Sequence, residues 1–373
     1  MGNEMRVLGQ RNAPVLVLLS SLGTTSQIFE PQIESFSKWL QVVTIEHPGH
    51  LGEPAVESDP RTVGELARRV LGLLDEQGIG RFCVCGISLG GIVAMELAYS
   101  YPERVDKLVL ACTAPVLSPR SAWLERAQLV RERGPAILVD TLLPRWFPPG
   151  FDGAHPQVVA RVAEMIGTVD SDGYANACLA IADADLSQHI ASIDAKTLVI
   201  AGRFDPVVPP GVALDYAMDI PGASFVTLAG SAHLPSLSEP ELFAQLVLEH
   251  LVGDPRRRGR TARSMILGED HVQASEADAT PIDRPFLEFI TEVAWGELWA
   301  RPGLDQRART LVTVALLAGL GRRAELELHL RSALRRGVPV EELIEVLLHV
   351  AVYAGVPVAN EAFSLLKRIE AGE

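Results

Sequence analysis

The sequence predicts an α/β fold, a largely parallel sheet with helices on both faces, followed by a separate all-α domain. Three observations carry this reading. Short apolar runs at residues 15–19, 42–45, 82–85, 108–111, 197–201 and 224–228 alternate with helical patterns, as strand–helix–strand units require. After residue 252 every apolar pattern has the helical period. The 373 residues exceed one ordinary domain. Two domains follow, 1–252 and 262–373, with 253–261 as linker.

Each element can be placed in turn. Strand 15–19 leads into the loop Ser20-Ser21-Leu22-Gly23-Thr24, and strand 42–45 into His47-Pro48-Gly49-His50. Strand 82–85 runs into Gly86-Ile87-Ser88-Leu89-Gly90 and then a helical pattern over 92–101. After strand 108–111 the alternation stops. Residues from about 115 to 193 are helical and Trp- and Pro-bearing, and read as a cap inserted over the sheet. Strand 197–201 precedes Arg203-Phe204-Asp205-Pro206, and strand 224–228 precedes Gly230-Ser231-Ala232-His233. A helix over 240–251 closes the first domain. Gly253-Asp254-Pro255-Arg256-Arg257-Arg258-Gly259-Arg260 combines breakers with like charges, so an exposed linker is expected. It lacks interleaved aromatics, which disfavours a nucleic-acid surface. Helical patterns then cover 286–299, 305–320, 322–336, 340–354 and 360–369. Gly337 before Val338-Pro339 marks a helix end, and Glu341-Glu342 the next start.

Composition narrows the partners. A net charge of −14 argues against nucleic acid and anionic membranes. The longest apolar stretches, such as 311–320, are too short to span a bilayer. No charged segment followed by an apolar one opens the sequence, so a cytoplasmic protein is expected. Of four cysteines, Cys83 and Cys85 share one face of a strand. Neither a disulfide framework nor a metal site is expected, and no cofactor.

The chemistry starts at Ser88. A Gly-x-Ser-x-Gly at a strand-to-helix turn holds its serine on a strained bend above the sheet. That arrangement is the nucleophile elbow of α/β-hydrolases, and the first domain resembles that fold with a helical cap. Serine is a poor nucleophile alone and needs a base held by a carboxylate. In this fold the order is Ser, then Asp or Glu, then His. Asp205 and His233 fit, each just past a strand's carboxyl end, where such sheets place their sites. Asp194 precedes its strand and Asp215 lies in a helical pattern, so both fit less well. The oxyanion donors are the backbone N–H groups of Leu89 and Leu22. The Leu22 loop lacks the His-Gly pair common in lipases and esterases.

Two longer resemblances follow. Ala294-Trp295-Gly296-Glu297-Leu298-Trp299-Ala300-Arg301-Pro302-Gly303-Leu304, Glu325-Leu326-Glu327-Leu328-His329 and Val352-Tyr353-Ala354-Gly355-Val356-Pro357 resemble the carboxymuconolactone decarboxylase family, over about residues 262–370. Residues 1–252 resemble 3-oxoadipate enol-lactone hydrolases, with Ser21-Leu22-Gly23-Thr24 and Arg145-Trp146-Phe147 as supporting words. Together the chain is similar to fused enzymes of the protocatechuate branch of the β-ketoadipate pathway. The resemblance implies two consecutive steps. The helical half would convert 4-carboxymuconolactone to 3-oxoadipate enol-lactone and CO2. The first half would hydrolyse that lactone to 3-oxoadipate.

Further residues take expected roles on this reading. The lactone's carboxylate needs a local cation in an acidic protein. Arg145 is the candidate, with Trp146 as an apolar wall. His47 and His50 could line the site, but a structural role is the favoured reading. In the helical half His329 is the expected proton donor. Glu325, four residues away, shares its helix face and is expected to pair with it. Trp295, Arg301, His349 and Tyr353 are expected to contact substrate. No cysteine follows Cys178, which excludes dithiol chemistry there. The broad apolar faces of the helical domain imply a homo-oligomer formed through it. Two other readings remain open: a generic serine esterase or perhydrolase whose helical domain only oligomerises, and a small-molecule receptor, which the intact triad disfavours.

Overall fold

The structure, a computed structural model, describes residues 4–11, 13–56 and 58–372. It divides into two compact units, Met1–Leu251 and Val252–Glu373. Among the described residues no helix is long and apolar enough to cross a membrane.

The first unit is built on a seven-stranded sheet: β1 (Met5–Gly9), β2 (Val15–Leu19), β3 (Gln41–Ile45), β4 (Phe82–Ile87), β5 (Val105–Ala111), β6 (Lys196–Gly202) and β7 (Ser224–Leu228). Their spatial order is β1-β3-β2-β4-β5-β6-β7. Only β1 runs antiparallel, paired with β3. The sequence reading omitted it, because a half-exposed edge strand shows no continuous apolar run. The central β4 is buried along its whole length, as a strand covered on both faces must be. Helices α1 (Glu30–Ser37), α2 (Val63–Glu76) and α3 (Leu89–Ser100) follow β2, β3 and β4. Thr62 and Glu65 close a capping box at the start of α2.

Between β5 and β6 lie the cap helices α4 (Arg120–Arg133), α5 (Val139–Trp146), α6 (Pro156–Thr168) and α7 (Ser171–Asp183), with a single helical turn at Phe151–Ala154 between α5 and α6. Arg131 of α4 reaches Asp172 (3.0 Å) and Asn176 (3.1 Å) of α7. Asp170 caps α7 through Gly173 N–H (2.9 Å) and also accepts from Ala55 N–H (3.1 Å). Gly49, at φ +75°, lies so close to Gly173 that a Cβ would come within 2.8 Å of its Cα. These contacts fasten the cap to the loop after β3. Helices α8 (Pro210–Asp219) and α9 (Pro240–Val252) complete the unit.

The second unit is all helical: α10 (Pro255–Leu267), α11 (Glu269–Ala277), α12 (Arg284–Phe289), a π-helix over Ile290–Trp299, α13 (Gln306–Gly319), α14 (Arg323–Arg335), α15 (Val340–Tyr353) and α16 (Val356–Glu370). Its main core includes Val314, Leu330, Leu343, Leu347 and Leu365.

The expected linker at 253–261 is corrected here. From Pro255 the chain is helix, started by Asp254 accepting from Arg257 N–H at 3.0 Å, with Pro255 at the first position. The arginines are not a repelling run. Arg256 pairs with Glu292 (3.1 Å), Arg258 with Glu297 (2.9 Å), and Arg260 with Glu269 (2.8 Å) and Glu276 (3.1 Å). Gly259 is a contact point rather than a flexible hinge. A Cβ there would strike the Thr291 carbonyl of the π-helix, and one on Gly296 would strike the Pro255 carbonyl.

Candidate active site

The turn after β4 shows why these residues stand where they do. Ser88 has φ 55° and ψ −116°, a region that L-residues seldom occupy. Gly86 and Gly90 permit it. A Cβ on Gly86 would strike Gly90 O, and one on Gly90 would strike Leu19 O at the end of β2. Ser88 N–H donates to Ala111 O (3.0 Å), and Thr113 donates to Ser88 O (2.7 Å). The strain is thus held from both sides, and Ser88 stands as the N-cap residue of α3. Leu89, first in that helix, has an amide with no intrahelical acceptor.

The structure brings Ser88, Asp205 and His233 together at the carboxyl ends of β4, β6 and β7. Ser88 and His233 line one cavity. His233 Nδ1–H donates to Asp205 Oδ2 at 2.8 Å, with both residues buried. The other oxygen, Oδ1, accepts from Val207 N–H (2.8 Å) and Val208 N–H (3.1 Å). Asp205 therefore caps the turn at Pro206 and orients His233 at once. Nε2 of His233 is left for Ser88. Asp194 and Asp215 lie exposed elsewhere. The Cys112 thiol lies within 4.8 Å of the Asp205 and His233 ligand atoms. Burial raises its pKa well above 9.0, so it is a protonated neighbour and not a thiolate ligand.

His47 and His50 hold the Leu22 loop from beneath. His47 Nε2–H donates to Ser20 O at 2.9 Å. Gly23 N–H donates to His50 Nε2 at 3.1 Å, so that nitrogen carries no proton, and Nδ1–H donates to Pro48 O at 3.0 Å. Burial pushes His47 down to about 3 and His50 to about 4. Both are neutral at pH 7, as these hydrogen bonds need. Leu22 lines the cavity on this supported loop. The arrangement of nucleophile and oriented base suits acyl transfer.

The cavity above Ser88 has a volume of about 490 Å³. Arg145 and Trp146 of α5 line it, and the Trp146 ring lies 6.3 Å from His233. Arg126 of α4 also lines it. The sequence reading missed that residue, because one arginine among several in a strongly polar helix carries no motif.

In the helical unit His329 is buried against two tryptophans. Its ring lies 6.4 Å from Trp295 and 6.0 Å from Trp299, and the tryptophans stack at 5.0 Å. Desolvation lowers the His329 pKa below 6.5, and Nδ1 has no partner among the described residues. The expected pairing of Glu325 with His329 is not formed. Glu325 lies in the first turn of α14, exposed to water, while His329 sits a turn further into the core. His349 and Tyr353 stack on each other at 5.9 Å on an exposed face of α15. Arg301 is half-buried, and its carbonyl accepts from Arg309 at 2.9 Å. Burial and the Arg301 charge lower the Arg309 pKa. Arg263, buried on α10, donates to Ser275 (2.9 Å) while Nε and Nη1 have no partner among the described residues. Trp299, which lies against His329, was not found from sequence as a site residue.

Comparison with known proteins places both units. Residues 16–246 match the α/β hydrolase family, and residues 284–368 match the carboxymuconolactone decarboxylase family. Among curated relatives, 3-oxoadipate enol-lactonase 2 of Acinetobacter baylyi is 33% identical over 64% of this chain and 89% of its own length. The 4-carboxymuconolactone decarboxylase of the same organism is 42% identical over 30% of this chain and 84% of its own length. The chain belongs to both families, fused. Its α/β hydrolase unit also superposes on the crystal structure of an enol-lactonase from Burkholderia xenovorans, with TM-score 0.63 and 32% identity. That match covers 66% of this chain and 95% of the other.

Proposed function

We propose that the chain catalyses two consecutive steps of protocatechuate breakdown. The carboxymuconolactone decarboxylase unit releases CO2 from 4-carboxymuconolactone, giving 3-oxoadipate enol-lactone. The α/β hydrolase unit opens that lactone to 3-oxoadipate. The observation that carries this reading is the joining, in one chain, of relatives of the enzymes named for these two reactions.

The residues supply a route for each step. Ser88 Oγ attacks the lactone carbonyl while His233 Nε2 takes its proton and Asp205 steadies the imidazolium. The amides of Leu22 and Leu89 receive the oxyanion, each contributing roughly 3 kcal/mol to the transition state. The ring oxygen leaves as an enolate, which takes up the proton held by His233 and becomes a ketone, so His233 is neutral again. Water, deprotonated by His233, then frees Ser88. Arg145 supplies charge for the substrate's carboxylate.

In the helical unit the scissile carboxylate is conjugated through the ring alkene to the lactone carbonyl. Electrons left by CO2 move into that carbonyl as a dienolate, and carbon then takes a proton. The dry wall of Trp295 and Trp299 favours loss of the charged carboxylate, and His329 delivers the proton. Arg301 is the cation kept for substrate. The exposed face bearing Leu316, Leu320, Val352 and Tyr353 (59–84% exposed) is covered by further copies of the chain.

Supplying 4-carboxymuconolactone to the purified full chain tests the reading. One CO2 and one 3-oxoadipate should form per substrate consumed. Turnover of simple esters with no CO2 release from this acid would instead support an esterase carrying a silent helical unit.

A further inference from the structure

The cavity above Ser88 contains more cation than one unassisted contact explains. Arg126 and Arg145 both line it, and among the described residues no Asp or Glu does. Neither makes an ion pair among the described residues. In a chain of net charge −14 this is a local reversal of sign. Arg126 lies over Trp123, its guanidinium carbon 4.6 Å from the ring centroid, which restrains its plane.

A second observation lies beside it. Tyr174 of α7 lines the same cavity and is fully buried, yet its hydroxyl has no hydrogen-bond partner among the described residues. Arg126 lines the same cavity from the adjoining helix; burial raises the Tyr174 phenol pKa, and the charge and hydrogen-bond donors of Arg126 oppose that rise. Buried hydroxyls in proteins are normally paired. The cavity that Tyr174 lines is the one that opens onto Ser88. The two helices are also pinned side by side by Arg131, Asp172 and Asn176, so the pair is positioned before any ligand arrives. A guanidinium and a neutral phenol are both donors, and together they match the two oxygens of a carboxylate.

We propose that Arg126 and Tyr174 form a carboxylate subsite, which holds the free carboxylate of the acyl substrate attacked by Ser88. Arg145 adds charge from α5 without being the anchor. The proposal deepens the lactonase reading and rests on it.

The test compares kcat/KM for 3-oxoadipate enol-lactone with that for an uncharged enol-lactone bearing methyl in place of the carboxymethyl group. The wild-type chain should strongly prefer the acid. Arg126→Ala should reduce that preference about 100-fold, since truncating one member of a desolvated charge pair costs heavily. Tyr174→Phe should reduce it about tenfold, the loss of one hydrogen bond to a charged group. Arg126→Lys should recover part of the loss, and Arg145→Ala should cost less than Arg126→Ala. An unchanged preference in Arg126→Ala overturns the subsite and leaves the lactonase reading standing. A wild-type chain with no preference for the acid overturns both. Should Arg126→Ala not fold, an unchanged preference in both Arg126→Lys and Tyr174→Phe overturns the subsite.

Discussion

At Ser88 the backbone, not the side chain, carries the information. Its φ of 55° needs Gly86 and Gly90, and the three positions were legible together because only that spacing permits the bend. Asp205 and His233 were legible from chain order and strand ends. His50 was legible only as a structural residue, because the hydrogen bond that ties it to the Leu22 loop crosses 27 positions of sequence. Replacing His50 with Phe removes the acceptor for Gly23 N–H and loosens the loop presenting Leu22. Lactone hydrolysis should fall about 10- to 100-fold in kcat with little change in KM, measured by steady-state kinetics. The same residue sets a pH dependence. His50 is held near 4 in the fold against 6.5 when unfolded, so its contribution is complete above pH 6.5. It is lost as pH falls from 6.5 toward 4, because the unfolded chain then binds the extra proton. Urea unfolding at pH 7, 5 and 4 should show that loss, on the order of 3 kcal/mol, with a shallower slope in His50→Phe. For His329 the lowered pKa means the imidazolium becomes populated only below pH 6.5. If it delivers the proton, the decarboxylation rate should go on rising as pH falls below 6.5, and His329→Gln should abolish that limb.

Among the elements, the helix Pro255–Leu267 shows where sequence reading fails. Glycine, proline and clustered arginines usually mark a linker. Here proline starts the helix, each of three arginines meets a glutamate, and Gly259 lets two helices touch. None of those partners is nearby in sequence. The partner element is a π-helix over Ile290–Trp299, a rare form often found at functional sites. It carries Trp295 and Trp299 to His329. Gly259→Ala should force this crossing apart and destabilise the helical unit by about 1–3 kcal/mol. Thermal unfolding should show the shift, and decarboxylation should fall more than lactone hydrolysis. The cap helices were anticipated as a block, but their mutual order was not, since Arg126 and Tyr174 lie 48 positions apart (174 − 126) and meet only through packing.

For the whole molecule, the change of period near residue 252 was enough to separate two units, because strands and helices bury their faces at different spacings. What sequence could not supply was which apolar faces stay bare. Leu320 and Tyr353 are 69% and 84% exposed, so association of helical units should bury them. Leu320→Glu combined with Tyr353→Glu should reduce the assembly to smaller species by light scattering. The central claim is that one chain holds two independent sites acting in sequence. Its most direct measurement is the full-length Ser88→Ala variant supplied with 4-carboxymuconolactone. CO2 release should continue at the wild-type rate while enol-lactone accumulates and 3-oxoadipate formation drops at least roughly 10⁴-fold. Equal loss of CO2 and 3-oxoadipate would contradict the account.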